Sequence, residues 1–323
     1  MNAALTAIAH YNLLERLGEG AFSEIYRARD TKVGRTVALR LIRDEAFDDQ
    51  AVRTAFLDDA RAASKLSHPN ITTLFDVGEY EGGSYLAYEF ASGVSLRQEC
   101  AGRAVNPRRA VELAVHIADA LAEGHAHGLL HGDIRPETIL VTHKGSAKVL
   151  EFGMASWTTG GRIRSRASSS PQSLGANAVS VVSYMSPEQA LGGATDARTV
   201  IFSVGVVLYE LLAGRHPFAA ADVEKTLVNV TSATPPSLEV AGGSDDLWRV
   251  VARAMAKDID KRPESAAAFA AELRRLGATL DARDGQPPRT ELLPLDEERG
   301  SGLWWGIAVV LTVIGVVLWW FLG

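Results

Sequence analysis

Residues 131–153, HGDIRPETILVTHKGSAKVLEFG, decide the fold of this 323-residue chain. The stretch begins with HGDIRPETIL and ends with EFG, and three other patterns lie at suitable distances from it. Because the five patterns occur in one chain at those distances, together they indicate a fold far more specifically than any one of them alone. The three other patterns are LGEGAFSEIYRARD from Leu17 onward, VALR at 37–40 and SPE at 186–188.

The glycines of the LGEG pattern lie where one expected strand turns into the next. Glycine lets a backbone approach a phosphate closely, because no Cβ intervenes. Gly18 and Gly20 are therefore candidate phosphate-binding residues, although alone they fit a plain hairpin turn equally well. The patterns that follow them favour the phosphate-binding interpretation.

Hydrophobic periodicity divides the chain into a strand-rich part and, after residue 105, a mostly helical part. This order predicts an α+β protein in which a small β-rich lobe precedes a larger helical lobe. The expected strands lie within 11–42 and at 71–78 and 84–90, and the expected helices lie at 51–66, 108–127 and 200–213.

Further landmarks extend the match from residue 11 to residue 276. They are HPN at 68–70, YLAYEF at 85–90, YMSPEQA at 184–190, DARTVIFSVGVVLYELLAGRHPF at 196–218 and KDIDKRP at 257–263. With these landmarks the sequence resembles a eukaryotic-type protein kinase, in particular the membrane-anchored serine/threonine kinases of bacteria. The resemblance implies a two-lobed protein kinase fold, with an N-lobe at about 11–90 and a C-lobe at about 91–276.

The resemblance also implies a nucleotide site between the lobes and one catalytic residue that this chain keeps. Asp133 stands at the position of the family's general base, which orients the hydroxyl that accepts the phosphate. Ile25, Ala38 and Leu140 match the apolar positions on either side of the adenine base, although ordinary core packing explains them equally well. The implied nucleotide-binding residues are Leu17, Gly18, Glu19, Gly20, Ala21, Ser23, Ile25, Ala38, Arg40, Glu89 and Leu140.

The chain departs from the family where phosphate and metal are handled. The lysine that contacts the phosphates is Arg40, whose planar fork differs from a compact ammonium. The metal-binding asparagine and aspartate are Thr138 and Glu151, and Mg²⁺ demands near-ideal geometry. ATP is therefore a candidate ligand, whereas these substitutions argue against Mg²⁺ binding. The other departures are Ser23 for a loop glycine, Asp59 for a helix glutamate, Gly132 and Arg135 for the catalytic-loop arginine and lysine, and Val200 for the aspartate that begins the central helix.

Two of these departures change side-chain length in opposite directions. Arg40 is longer than lysine and Asp59 is shorter than glutamate, so their summed reach is nearly unchanged. An acid on the apolar side of a helix is costly unless a cation meets it. We hypothesise that Arg40 and Asp59 form an ion pair between strand and helix, with uncoordinated change at the two positions as the alternative.

A run of mostly apolar residues from Leu303 to Leu322 carries no charge and has a tryptophan pair near each end. A helix of that length matches a bilayer core of about 30 Å, and tryptophan favours the membrane interface. The run predicts one C-terminal transmembrane helix, with a buried core helix as the alternative. Residues 277–302, rich in Gly, Pro and acid, are typical of a flexible linker. No signal peptide is evident, so we expect a membrane protein whose kinase-like domain lies in the cytoplasm.

The composition excludes some function classes. The formal net charge is −6, so the chain lacks the basic field that nucleic-acid binding needs. Cys100 is the single cysteine, which rules out an intramolecular disulfide and a cysteine-cluster zinc site. The expected partners are signalling proteins of the cytoplasm or membrane, such as an active kinase or a phosphatase.

Three functions remain open at the level of sequence. The first is a membrane-anchored pseudokinase that acts as a scaffold or allosteric regulator. The second is an active but atypical serine/threonine kinase that uses Asp133 as its base, Glu151 as a metal ligand and Arg40 as a phosphate clamp. The third lies between them and binds ATP without transferring its phosphate.

Overall fold

The computed structural model describes residues 6–19, 22–158, 178–238 and 245–283. Gly20 and Ala21, most of the expected linker and the expected span at 303–322 lie outside these residues. In the part of the chain that is described, no helix is both long and apolar enough to cross a membrane.

The N-lobe is an antiparallel sheet with one helix packed beside it. Its elements are strands β1 (Ala7–Ile8), β2 (Tyr11–Glu19), β3 (Ser23–Asp30), β4 (Thr36–Arg43), β5 (Leu74–Tyr80) and β6 (Gly83–Glu89), and helix α1 (Gln50–Ala63). The strand order is β1-β2-β3-β4-β6-β5. In the β3–β4 pair Ile25 lies opposite Arg40, and in the β4–β6 pair Ala38 lies opposite Tyr88. This register places β4 between β3 and β6, and β6 is the last strand before the C-lobe.

The C-lobe is helical except for a small sheet of order β7-β8-β9. Its strands are β7 (Gly93–Ser95), β8 (Ile139–Thr142) and β9 (Ala147–Val149). Its helices are α2 (Leu96–Cys100), α3 (Pro107–Ala126), α4 (Ala155–Thr158), α5 (Ala178–Ser183), α6 (Pro187–Ala190), α7 (Ala197–Ala213), α8 (Val223–Ser232), α9 (Asp245–Ala254) and α10 (Ala266–Arg283).

Polar side chains set where the long helices begin. The carboxylate of Asp49 accepts a hydrogen bond from the Val52 amide at the start of α1. Asn106 caps α3 in the same way, ahead of a proline at its first position. Asp196 caps α7, which ends at Gly214 with φ of 67°, a left-handed conformation that glycine adopts without strain. The predicted helices therefore form, and α1 ends three residues before the predicted boundary at 66.

The core is continuous from the inner face of α1 through the small sheet to α7. It includes Phe56 and Leu86 of the N-lobe and Phe152 and Phe202 of the C-lobe, all at most 2% exposed. Helix α7 is buried nearly all round, as its uninterrupted apolar sequence predicts. The predicted α+β, two-lobed architecture is confirmed.

The expected start of the linker at residue 277 is too early. Helix α10 continues to Arg283, and Leu280 and Asp281 in its last turns are buried. Arg108 of α3 donates from Nε to the Asp281 carboxylate at 2.5 Å. These contacts hold the final turns of α10 on α3, so residues 277–283 belong to the folded domain.

A buried ion pair joins two segments of the C-lobe. Arg262, whose side chain has no exposed surface, donates to both carboxylate oxygens of Glu188 at 2.7 and 2.9 Å. Burial opposes ionisation of Glu188, but the Arg262 hydrogen bonds hold the pKa of this carboxyl below its ordinary value.

We expect Arg262→Met to lower the free energy of unfolding by about 3–5 kcal/mol at neutral pH, because Glu188 would lose its buried partner. The loss shrinks below about pH 4.5, the ordinary pKa of the group, because the pair then contributes less to stability. Urea unfolding across pH measures both effects. Arg249→Met, in the exposed Arg249–Asp246 pair, is the matched control and stays within about 0.5 kcal/mol. An equal loss in both variants would contradict a special role for the buried pair.

Candidate functional site

The three apolar residues predicted for the adenine site are only partly buried. Ile25 on β3, Ala38 on β4 and Leu140 on β8 are each half-buried, so part of each side chain faces open space. Leu17 on β2 is 46% exposed. A Cβ added to Gly18 would have no atom within 4 Å, so packing alone does not require glycine there. The partial exposure of these residues is compatible with the predicted contact to an adenine base.

The remaining predicted nucleotide-binding residues differ in how they are placed. Glu19 pairs with Arg16 at the exposed end of β2. Glu89 ends β6, and its carboxylate accepts a hydrogen bond from Lys148 at 2.9 Å. Ser23 begins β3, and its hydroxyl contacts Arg40. Gly20 and Ala21 lie outside the described residues.

Arg40 at the floor of the cleft is committed to Glu151. Its Nε donates to Glu151 Oε1 at 2.9 Å, and one terminal nitrogen donates to the same oxygen. The other terminal nitrogen donates to the Ser23 hydroxyl at 3.0 Å. The prediction that Arg40 pairs with Asp59 is therefore wrong, because the guanidinium donates its hydrogen bonds to Glu151 and Ser23 instead.

Asp59 is met by an aromatic residue of the segment that follows EFG. Trp157 on α4 donates from Nε1 to the Asp59 carboxylate at 2.8 Å. Its ring is nearly buried and packs edge-on against Phe56 of α1, with the ring centroids 5.9 Å apart. Helix α1 is thus attached to α4 by a hydrogen bond and an aromatic contact.

The backbone at Glu151 makes this arrangement possible. Glu151 has φ of 54°, a left-handed conformation that side-chain-bearing residues rarely adopt and that clusters at functional sites. Its carbonyl accepts hydrogen bonds from the amides of Met154 and Ala155 at 2.9 and 3.0 Å. The turn therefore starts α4 and brings Trp157 to α1.

Asp133, the predicted base, is held by two neighbours of the catalytic loop. Arg135 donates from Nε to both carboxylate oxygens, at 3.0 and 3.1 Å, and the Asp133 side chain is only 6% exposed. His131 accepts from the Asp133 amide and contacts the Leu150 carbonyl at 2.9 Å through its other ring nitrogen. Burial lowers the pKa of His131, which keeps the ring neutral and suited to both contacts.

The predicted metal-binding side chains are engaged inside the protein. The Thr138 hydroxyl donates to the Asp133 carbonyl at 2.8 Å and accepts from the Arg135 amide. Glu151 receives Arg40, as described above. In the part of the chain that is described, no group of three or more His, Cys, Asp or Glu side chains is arranged to hold a metal ion. Mg²⁺ usually keeps several waters and binds through one or two protein carboxylates. Here the Glu151 carboxylate is paired with Arg40, and Thr138 offers a neutral hydroxyl, so these two side chains are a poor match for it.

Two groups of residues at the site escape prediction from the pattern. Gln189 donates to the Gly132 carbonyl at 3.0 Å and so fixes the catalytic loop. Val200, which stands in place of the family's aspartate, is buried. The second group surrounds Arg97 of α2. Its three donor nitrogens contact Glu137 at 2.9 Å, Glu210 at 2.6 Å and the Tyr184 hydroxyl at 2.6 Å. No local signal marks Gln189, Arg97 or Trp157, because each finds its partner only through the fold.

A family model described as the protein kinase domain matches residues 11–273. This chain belongs to the protein kinase family. The chain is 34% identical to the serine/threonine-protein kinase PknB of Mycobacterium tuberculosis over 298 residues, or 90% of this chain and 46% of that protein. It is 32% identical to the serine/threonine-protein kinase pkn3 of Myxococcus xanthus, over 87% of this chain and 52% of that protein. The chain thus spans about half the length of the curated relatives it matches.

The kinase fold also matches solved structures. The crystal structure of the Mycobacterium tuberculosis PknI kinase domain superposes with a TM-score of 0.66. The superposition covers 85% of this chain and 99% of the PknI kinase domain, and the two sequences are 22% identical. At this identity the likeness supports the two-lobed architecture alone.

The Trp157–Asp59 contact predicts a measurable property of α1 in the kinase domain. Trp157→Phe keeps an aromatic ring beside Phe56 but removes the Nε1–H donor. We expect amide hydrogen exchange in α1 to accelerate about tenfold or more, because a hydrogen bond to a charged group contributes about 1.5–3 kcal/mol.

Trp248→Phe provides the matched control. Trp248 lies on α9 and contacts Tyr209 in the C-lobe, far from α1. Its replacement should leave exchange in α1 unchanged. If Trp157→Phe also leaves α1 unchanged, the tryptophan does not hold this helix.

Proposed function

We propose that this kinase-family protein is a pseudokinase that works as a scaffold or allosteric regulator. The observation that carries the proposal is the Arg40–Glu151 ion pair. In the family, the first position handles phosphate and the second handles metal. Here the two groups neutralise each other, so neither charge is available for its catalytic task.

The state of the catalytic loop supports the same proposal. Arg135 covers both oxygens of Asp133, and the Thr138 hydroxyl is turned to the backbone of the loop. A substrate hydroxyl would have to displace the Arg135 guanidinium to reach the carboxylate. Charge-assisted contacts of this kind are among the stronger hydrogen bonds, so the displacement is costly.

The region beside the catalytic loop also departs from an open peptide site. Helix α5 contains Ser180, Val181 and Val182, which stand where the family places its substrate-contacting GT(P) residues. Both valines are buried and pack toward Val223 and Leu227. A helix that packs into the C-lobe offers no extended edge on which a peptide can lie. These contacts support a role in binding other signalling proteins over one in phosphorylating them.

An active atypical kinase is the second candidate, and one observation favours it. Asp133 is retained, and Arg135 stands beside it at the position of the family's lysine. A positive charge there suits a transferring phosphoryl group. In this case Arg135 would leave Asp133 and contact phosphate during the reaction.

A phosphotransfer assay separates the two functions. We expect the purified chain to transfer no more radiolabelled phosphate from ATP, to itself or to a generic basic protein, than Asp133→Asn does. Transfer that Asp133→Asn abolishes would establish the atypical kinase. The triple variant Arg40→Lys, Thr138→Asn, Glu151→Asp restores the family's side chains at three positions. It should raise transfer above the Asp133→Asn background, because it returns the phosphate cation and both metal ligands.

We further propose that the protein acts at a membrane. The charge-free run 303–322, with its tryptophan pairs, supports an anchor, and the kinase domain would then face cytoplasmic or membrane signalling proteins such as an active kinase or a phosphatase.

Fractionation of cells that express the chain checks the anchor. The full chain should remain in the membrane pellet after alkaline carbonate washing, and deletion of 303–322 should move it to the supernatant. A full chain that carbonate extracts would contradict the anchor and leave the pseudokinase proposal standing.

A further inference from the structure

Arg40 and Glu151 form an ion pair in the cleft. Among the described residues, it is the one direct contact between a cation and a carboxylate at a position where the family binds metal. The Arg40 side chain is 14% exposed and that of Glu151 is 20% exposed, so both can be reached from the cleft. All Arg40–Glu151 donation converges on one carboxylate oxygen, Oε1. The guanidinium therefore does not make a fork-to-fork pair with its partner.

Phosphate offers Arg40 a better match than this carboxylate. Guanidinium donors form parallel bidentate bonds with phosphate oxygens, and such pairs exceed single-oxygen contacts in geometric fit. The Ser23 hydroxyl, which already accepts a hydrogen bond from Arg40, lies on the strand that follows the glycine loop. An anion that contacts the Arg40 guanidinium therefore also lies near the Ser23 hydroxyl.

A second polar group beside this pair lacks a hydrogen-bond partner. The Tyr88 hydroxyl, opposite Ala38 in the sheet, is buried and makes no hydrogen bond. Burial raises the pKa of Tyr88 well above its ordinary value, the charge of Glu151 adds to this, and Arg40 opposes it. Tyr88 thus carries an unused, buried donor within electrostatic reach of both charges.

A divalent cation has no comparable place there. Glu151 forms an ion pair with Arg40, and Asp133 forms one with Arg135. The Thr138 hydroxyl donates a hydrogen bond to the backbone of the catalytic loop. A bound Mg²⁺ would also compete with Arg40 for the phosphate oxygens, since both cations seek the same groups.

We propose that the cleft binds a nucleoside di- or triphosphate as the metal-free anion, and that Arg40 exchanges Glu151 for phosphate when it binds. This inference goes beyond the proposed pseudokinase function, which requires no ligand. It reverses the usual effect of the metal-position acid: Glu151 competes with the nucleotide and does not assist its binding.

Calorimetric titration of the full chain with ATP tests the metal requirement. We expect ATP to bind in EDTA at least as tightly as it does in excess Mg²⁺ at matched ionic strength. Binding that is tenfold or more weaker in EDTA, or no binding in either buffer, would overturn the inference.

Two substitutions test the exchange itself in EDTA. Glu151→Gln should tighten ATP binding about tenfold, because it frees Arg40 from a charged competitor worth about 1.4 kcal/mol or more. Arg40→Gln should weaken binding at least tenfold. A metal-dependent site would behave differently: Glu151→Gln would weaken binding in Mg²⁺ and leave the EDTA value unchanged, which would overturn the exchange.

Glu272→Gln is the matched control, because Glu272 pairs with Arg253 on the far side of the C-lobe. It should leave ATP affinity unchanged in both buffers. Glu151→Gln keeps the size of the side chain, so it remains informative even if Arg40→Gln does not fold. The failure of this inference is distinguishable from that of the proposed function, because one is measured by binding and the other by phosphotransfer.

Discussion

The Arg40–Glu151 ion pair is the interaction on which the cleft depends. It joins β4 of the N-lobe to Glu151, two residues after β9 of the C-lobe, between the two lobes. Both side chains are mostly buried, and a buried charge is costly when it has no partner. Each charge therefore stabilises the other. The pair therefore fixes the position of Glu151, and the left-handed turn at Glu151 determines where the next segment goes.

The consequence reaches α1 through a short chain of contacts. The Glu151 carbonyl starts α4, α4 positions Trp157, and Trp157 contacts Asp59 and Phe56. Side-chain length explains this exchange of partners. Arginine and glutamate are each longer than the family's residues, so they meet across the cleft. Aspartate is shorter, and the tryptophan ring spans the distance to it. The helix is thus held from the C-lobe side by an indole, and the strand cation is committed elsewhere.

The architecture follows from local signals that the sequence displays openly. Apolar periodicity predicts helices that form close to their expected bounds, and Asp49 and Asp196 cap two of them. Ile25, Ala38 and Leu140 are assigned to the adenine site by the family resemblance, and strands form where these residues lie. The choice of ion-pair partner is different in kind. Asp59 and Glu151 are both acids within plausible reach of Arg40, and only the turn geometry at 151 and the donor on Trp157 decide between them. The end of α10 was also missed, because its last turns are stabilised by Arg108, which is distant in sequence.

Arginine is the partner of three acids in and around this cleft. Arg40 meets Glu151, Arg135 meets Asp133, and Arg97 meets Glu137. Two of these arginines replace lysines of the family. An ammonium is a compact point charge, whereas a guanidinium offers five donors in a fixed plane and is more weakly hydrated. One arginine can therefore satisfy an acid and a second acceptor at once, as Arg40 does with Glu151 and Ser23. The charges of half-buried acids have to be compensated, whatever else they bind. The lysine-to-arginine replacements supply that compensation from within the chain, so the changes at the cation, acid and metal positions make physical sense only as a set.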